Sequence, residues 1–355
     1  MQTSQTSNYP VKYPTATIFS KDGHICLGYK GEIDTRLIMW GDYMLWERFW
    51  TNQQIHDYCK YFATETPFNG FRIFLISNFS KSNIENLNLI HQSIFEGPNY
   101  NSSIYDLYHL DQDFLVYIQK FCKIAATFGL VVQVVLYEHC GFKPPSWNFS
   151  PFNPANSNAR YGWSRDSYFP ACDCTVFTDL CSIYQNIVCQ VVNAIGPQGN
   201  IIWELSNEGD PVINPPAYRH FFEKLMIPSI KQQSINSNCN IPVFADSSSE
   251  AFLGRTMNNE GGLQWMHNHL ENTGWSGMST DGDRIYNHNS EDLILRYQYI
   301  KATQKHFEMH LTFIAERILG QAPMHSFLWG TRQATVQDYR DNLQVYFDAI
   351  KNYVV

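Results

Sequence analysis

Charge is scarce in this sequence, and basic charge scarcer still. Only 16% of the 355 residues are charged, the formal net charge is −8, and no block of Lys and Arg occurs. An acidic surface repels phosphate backbones and anionic lipid, so no nucleic acid or membrane-surface partner is expected and a neutral substrate fits better. No apolar run reaches the length of a membrane span. The opening MQTSQTSNYPVKYPTATIF lacks the basic start and apolar run of a signal peptide. Cytoplasmic residence and export by a route not readable here both stay open. There is no Pro-, Gly- or Ser-rich linker and no break in composition, which predicts one domain over 1–355, with 1–15 as an extended N-terminal segment.

Two further absences narrow the chemistry. No paired C-x2-C set suggests a zinc site, and no Gly-rich turn follows the first strand candidate, as a dinucleotide-binding sheet would require. No metal or other cofactor is expected. The nine cysteines are scattered, several on apolar faces of expected elements where a thiol acts as a small hydrophobe. Cys172-Asp-Cys174 is too closely spaced for an ordinary bridge. Reduced thiols are expected, with a bridge from Cys140 to the 172–181 stretch as the open alternative.

Aromatic residues, by contrast, are abundant at 15%. Most serve a large core, while a subset in a cleft would suit the apolar faces of pyranose rings. Trp147, Trp163 and Trp275 fall in expected loops, as subsite platforms or lid packing. Short apolar runs alternate with longer segments of helical period, the pattern of βα units and a parallel sheet. Strands are expected at 36–44, 70–76, 130–137, 200–208, 241–249, 263–270, 310–316 and 326–330. Helices are expected near 52–64, 111–127, 176–195, 216–234, 290–306 and 335–352. Residues 16–33 read as an N-terminal hairpin turning at Lys21-Asp22-Gly23. Eight strand candidates predict a closed (β/α)8 TIM barrel. The loops over 77–110 and 140–175 are long for a compact domain. Both follow strands, on the face where barrel enzymes keep their active sites.

On that face, polar side chains at strand ends converge on one pocket. The strand ends offer Arg72, Glu138 or His139, Asn207, Glu208, Asp246, His267, His269, Glu316 and Trp329. Glu208 and Glu316 each close an apolar run, which would desolvate a carboxyl group and raise its pKa, while a neighbouring cation would lower it. Such a split suits one acid and one nucleophile.

Asn207-Glu208 closing WELSNE, with Glu316 closing FIAE three strands later, resembles glycoside hydrolase clan A, closest to family-five-like endoglucanases and mannanases. Arg72 in GFRIFL, His139 in LYEHCG, His267 in QWMHNH and Trp329 in SFLWG match further positions of that clan. The resemblance implies a retaining hydrolase acting on the β-glycosidic bonds of a carbohydrate substrate, an oligo- or polysaccharide, with Glu208 as acid/base and Glu316 as nucleophile. It implies that Asn207 holds the sugar 2-hydroxyl, that Arg72 keeps Glu316 ionised, that His139 and His267 bind substrate, and that Trp329 is a platform under the sugar. One position departs from the clan: His269 stands where a tyrosine usually bonds the nucleophile. Two alternatives remain. One is a barrel weakened in catalysis that binds carbohydrate or serves as a virion or surface structural protein. The other is a metal-dependent hydrolase using His267 and His269. Sugar, linkage, endo or exo action and oligomeric state are not fixed by these residues.

Overall fold

The structure is a computed structural model. It describes residues 17–21, 24–28, 38–42, 50–66, 68–75, 94–97, 104–136, 146–158, 178–204, 225–239, 243–246, 263–268, 277–279 and 306–310. Two strands come first: β1 (Thr17–Lys21) and β2 (His24–Gly28) pair antiparallel, Lys21 opposite His24.

The remaining architecture is an α/β barrel. Its strands are β3 (Ile38–Asp42), β4 (Gly70–Phe74), β7 (Val131–Val135), β8 (Ile201–Glu204), β9 (Val243–Asp246), β10 (Leu263–Asn268), β11 (Gly277–Ser279) and β12 (His306–His310). All pair in parallel with their neighbours in chain order, and β12 pairs back to β3, so the eight strands form a ring. Four helices are described. They are α1 (Asn52–Glu65) after the first ring strand, α2 (Gln112–Thr127) after the second, α3 (Thr178–Ile195) after the third and α4 (Ile227–Asn236) after the fourth. None of the helices among the described residues is long and apolar enough to cross a membrane.

Local chemistry sets the helix boundaries. Thr51 caps α1 by accepting from the Gln54 amide at 3.3 Å, and the Gln54 side chain accepts from the Thr51 amide at 2.9 Å, a reciprocal capping box. Asp111 does the same work for α2, accepting from the Phe114 amide at 3.0 Å. Just after α2, Gly129 takes φ 69, a left-handed value that costs glycine little. α4 carries Pro228 in its first turn, where no intrahelical N–H is needed.

The buried residues of α1 are Ile55, Tyr58, Cys59 and Phe62, one stripe at helical spacing. They meet the outward face of β4, where Phe71 stacks on Tyr58 with centroids 5.4 Å apart and meets Phe62 and Phe121 edge-on at 4.9 and 5.2 Å. Neighbouring residues of a strand point to opposite faces. With Phe71 and Ile73 towards the helices, Arg72 and Phe74 face the barrel interior. Asn200 ties α2 to β7, donating to the carbonyls of Cys122 at 3.2 Å and Leu130 at 2.8 Å.

The seventh and eighth ring strands differ from expectation. The sequence places them at 310–316 and 326–330; the ring uses Gly277–Ser279 and His306–His310. Gly277-Met278-Ser279 is too short for any periodicity to register. His306–His310 alternates polar and apolar residues, whereas the expectation followed the more continuous apolar run just beyond it. Residues 311–316 and 326–330 lie outside the described residues, as do the expected helix at 335–352 and 290–305 of the other, whose last residue, His306, opens β12.

Candidate functional site

In a parallel barrel the carboxyl ends of the strands share one face, and that face here is bounded by Asp42, Phe74, Val135, Glu204, Asp246, Asn268, Ser279 and His310. Of the residues singled out from sequence, Arg72 and Trp147 are described in full, and Asp246 and His267 by their backbones alone. His267 lies on β10, the sixth ring strand, in register with Met278 of β11. Glu138, His139, Trp163, Asn207, Glu208, His269, Trp275, Glu316 and Trp329 lie outside the described residues. The described part of the fourth strand runs to Glu204, four residues before Glu208 in the sequence.

Arg72 sits inside the barrel, wholly buried. It makes a two-pronged ion pair with Glu204: Nε donates to Oε2 at 2.6 Å, and the second nitrogen lies 2.5 Å from Oε1. Both side chains are fully shielded from solvent. The pair bridges the second and fourth strands across the third, which contributes Gln133, whose Nε2 donates to Glu204 Oε2. Register explains the geometry. Arg72 is level with Gln133, while Glu204 is level with Val135, so the arginine reaches up and across to the end of β8. The guanidinium carbon lies 4.9 Å from the Phe74 ring centroid, a cation–π contact within the same cluster. A planar fork matched to a carboxylate and stacked on a ring is a job for Arg that Lys does not replace. Gln133 Oε1 is buried and has no hydrogen-bond partner among the described residues.

Sequence reasoning passed over Glu204 and Gln133. The signal was present: each is the lone polar residue in an otherwise apolar stretch, VVQVV and IIWE. A polar residue in a strand covered on both faces has only the barrel interior or a helix contact to turn to.

The described parts of the two long loops, 94–97 with 104–110 and 146–158, are ordered against one another. Within the loop after the second ring strand, β5 (Phe95–Glu96) and β6 (Asp106–Leu110) pair antiparallel. Segment 146–158, from the loop after the third, docks onto that ladder. The Tyr105 amide donates to Asn156 O at 2.7 Å, the Asn158 amide to Tyr105 O at 2.9 Å, and Asn158 Nδ2 to Asp106 Oδ1 at 2.7 Å. Phe152 meets Phe95 edge-on at 5.5 Å and leans on Tyr184 of α3 at 5.7 Å. Trp147 is half-buried here, and its carbonyl accepts from the Ser150 amide at 3.2 Å and Asn153 Nδ2 at 3.0 Å. These described segments of the two loops thus form a single wall.

On the wall's surface Asp106 Oδ2 lies 2.8 Å from His109 Nδ1. Partial burial pushes the Asp106 carboxyl up, but hydrogen bonds from His109, Asn158 and the Tyr108 amide outweigh it and leave the pKa lowered. His109 is raised, chiefly by its bond to Asp106. With Glu96 these residues bring three potential metal ligands within 4.8 Å of one another. Cys59, Cys122, Cys189 and Cys239 are free thiols. Burial pushes the thiols of Cys59 and Cys122 up, so both act as packing rather than as nucleophiles.

No protein-family model matches this sequence, and no curated protein matches it. Solved structures do. A protein described as a glycoside hydrolase shares the fold with a TM-score of 0.54 at 9% identity, over 95% of this chain and 73% of that one. A glycoside hydrolase of family 5 from Bacteroides vulgatus gives 0.53 at 8% identity, over 92% of this chain and 68% of that one. An endo-1,4-β-mannanase from Rhizomucor miehei gives 0.53 at 11%, over 95% and 99%. The resemblance to clan-A barrels drawn from short sequence motifs is thus matched by a likeness of fold.

Proposed function

We propose that this protein is a retaining glycoside hydrolase, a single (β/α)8 domain over 1–355 that cleaves β-glycosidic bonds of an oligo- or polysaccharide. The observation that carries this reading is the ring itself. Asn207-Glu208 follows the fourth ring strand, whereas Glu316 follows β12, the eighth ring strand rather than the seventh expected from sequence, and β8 and β12 stand four positions apart in a ring of eight. Chain segments leaving those two strands start on opposite sides of the mouth, which leaves room for a sugar between two carboxyl groups. The fold likeness to glycoside hydrolases supports the same reading.

In this mechanism Glu316 attacks the anomeric carbon while Glu208 protonates the departing glycosidic oxygen. A glycosyl–enzyme ester forms and the first bond breaks. Glu208, now a carboxylate, takes a proton from water, which displaces Glu316 and releases the sugar with its configuration retained. The two carboxyl groups stand about 5–5.5 Å apart in such an enzyme. Asn207 holds the 2-hydroxyl. His139, His267 and His269 contact substrate, with His269 in the place of the usual tyrosine, and Trp329 stacks under the ring. An acidic surface with little basic charge suits a neutral sugar. The substrate is sought by screening glucan, mannan, xylan and galactan. On whichever is cut, Glu316→Ala is expected to lower kcat by several orders of magnitude, as loss of a nucleophile does. Hydrolysis near the wild-type rate would end the assignment.

A further inference from the structure

Barrel interiors are ordinarily filled by branched apolar side chains. This one buries a charged pair and an amide on three consecutive ring strands, all three residues at 0% exposure. Stability alone explains that poorly. A buried ion pair exchanged for apolar residues of similar volume is often neutral or better. Among the described residues Gln133 further carries an acceptor, Oε1, with no hydrogen-bond partner, a cost that natural cores avoid unless something else requires the group. Rules of packing are broken mainly at functional sites.

We infer that Glu204 is a positioning residue for the carboxylates at the barrel mouth, holding the Arg72 guanidinium in one place and offsetting its charge. The inference rests on the hydrolase reading and adds to it a residue that the sequence motifs did not single out. The placement supports it. Glu204 is the last residue of β8, four residues before Glu208, a separation of at most about 14 Å along an extended chain. Arg72, read from sequence as the group that keeps Glu316 ionised, is fixed by a fork of two bonds to this one carboxylate. Gln133 adds a third contact to the same carboxylate from the strand between. Free of Glu204, the cation would act at full strength on every carboxyl nearby. With Glu204 in place it remains oriented but largely balanced. The other titratable groups on the flanking strands are Asp42 on β3 and Asp246 on β9, and beyond them His267 on β10 and His306, Glu308 and His310 on β12.

The test uses the full chain and three variants, with kcat, KM and the pH profile measured on nitrophenyl β-glycosides. Glu204→Gln keeps the shape and removes the charge. Its alkaline limb is expected to move to lower pH by about one unit, the effect of one uncompensated charge roughly 10 Å away at an effective dielectric constant of about 20. Glu204→Asp, which restores the charge, is expected to return the limb towards wild type. Arg72→Met with Glu204→Leu removes both charges. It is expected to fold with a Tm near wild type, while kcat falls roughly a hundredfold and KM changes little, the mark of lost alignment. A folded double variant with wild-type kcat and pH profile would overturn the inference. So would loss of the fold in both Glu204→Gln and the double variant, which would assign the pair to stability. A wild-type chain that cleaves no glycoside would instead sink the hydrolase reading, a result visible before any variant is made.

Discussion

A carboxylate taken out of water needs a partner whose charge and shape both match, and Arg72 supplies both to Glu204. Removing one member strands the other. Arg72→Met on its own leaves a buried, uncompensated Glu204, and is expected to lower unfolding free energy by about 3–5 kcal/mol, read by urea denaturation. A loss under about 1 kcal/mol would mean that the pair is not shielded as described. At the surface the balance differs. His109 is exposed, and its pKa lies above the usual value because protonation strengthens its bond to Asp106. A raised histidine stabilises fully below about pH 6.5 and loses that contribution as pH rises through its folded value. Asp106, whose pKa is lowered, contributes above about pH 4 and loses its share as pH falls through its own folded value. Proton NMR of the His109 ring is therefore expected to give a midpoint above about 6.5 that Asp106→Asn brings back down. A midpoint unmoved by that change would contradict the pairing.

The elements divide by how much of their making is local. α1, α2 and β7 were legible in the sequence because their causes lie within them: a capping residue, an apolar stripe at helical spacing, a β-branched run buried on both faces. Thr51 illustrates the first. Thr51→Ala removes the capping box and is expected to cost about 1 kcal/mol in thermal or urea unfolding; a neutral result would show that the cap adds nothing beyond tertiary packing. β5, β6, β11 and the start of β12 were not legible. Two- and three-residue strands have no period to read, and the β5–β6 ladder is held by partners some fifty residues away, as in the bond from Asn158 to Asp106. The same distinction governs the site. Arg72 stood out as a charge inside an apolar strand, but its partner Glu204 lies 132 residues on. Only the ring brings the two together. Both regions read as long loops, yet the Phe95–Phe152 contact joins their described segments into one wall.

At the scale of the molecule, a ring of eight parallel strands gathers their carboxyl ends on one face, so chemistry scattered along 355 residues has a single place to converge. What converges there, on the reading proposed, is a pair of carboxylic acids flanking a neutral sugar, over a floor stiffened by a balanced ion pair. The most direct test of this account is the configuration of the first sugar released, followed by proton NMR during hydrolysis of a β-glycoside that the wild-type chain cleaves. The account predicts that the β-anomer appears first and the α-anomer only later, by mutarotation. An α-anomer as first product would contradict the double-displacement mechanism.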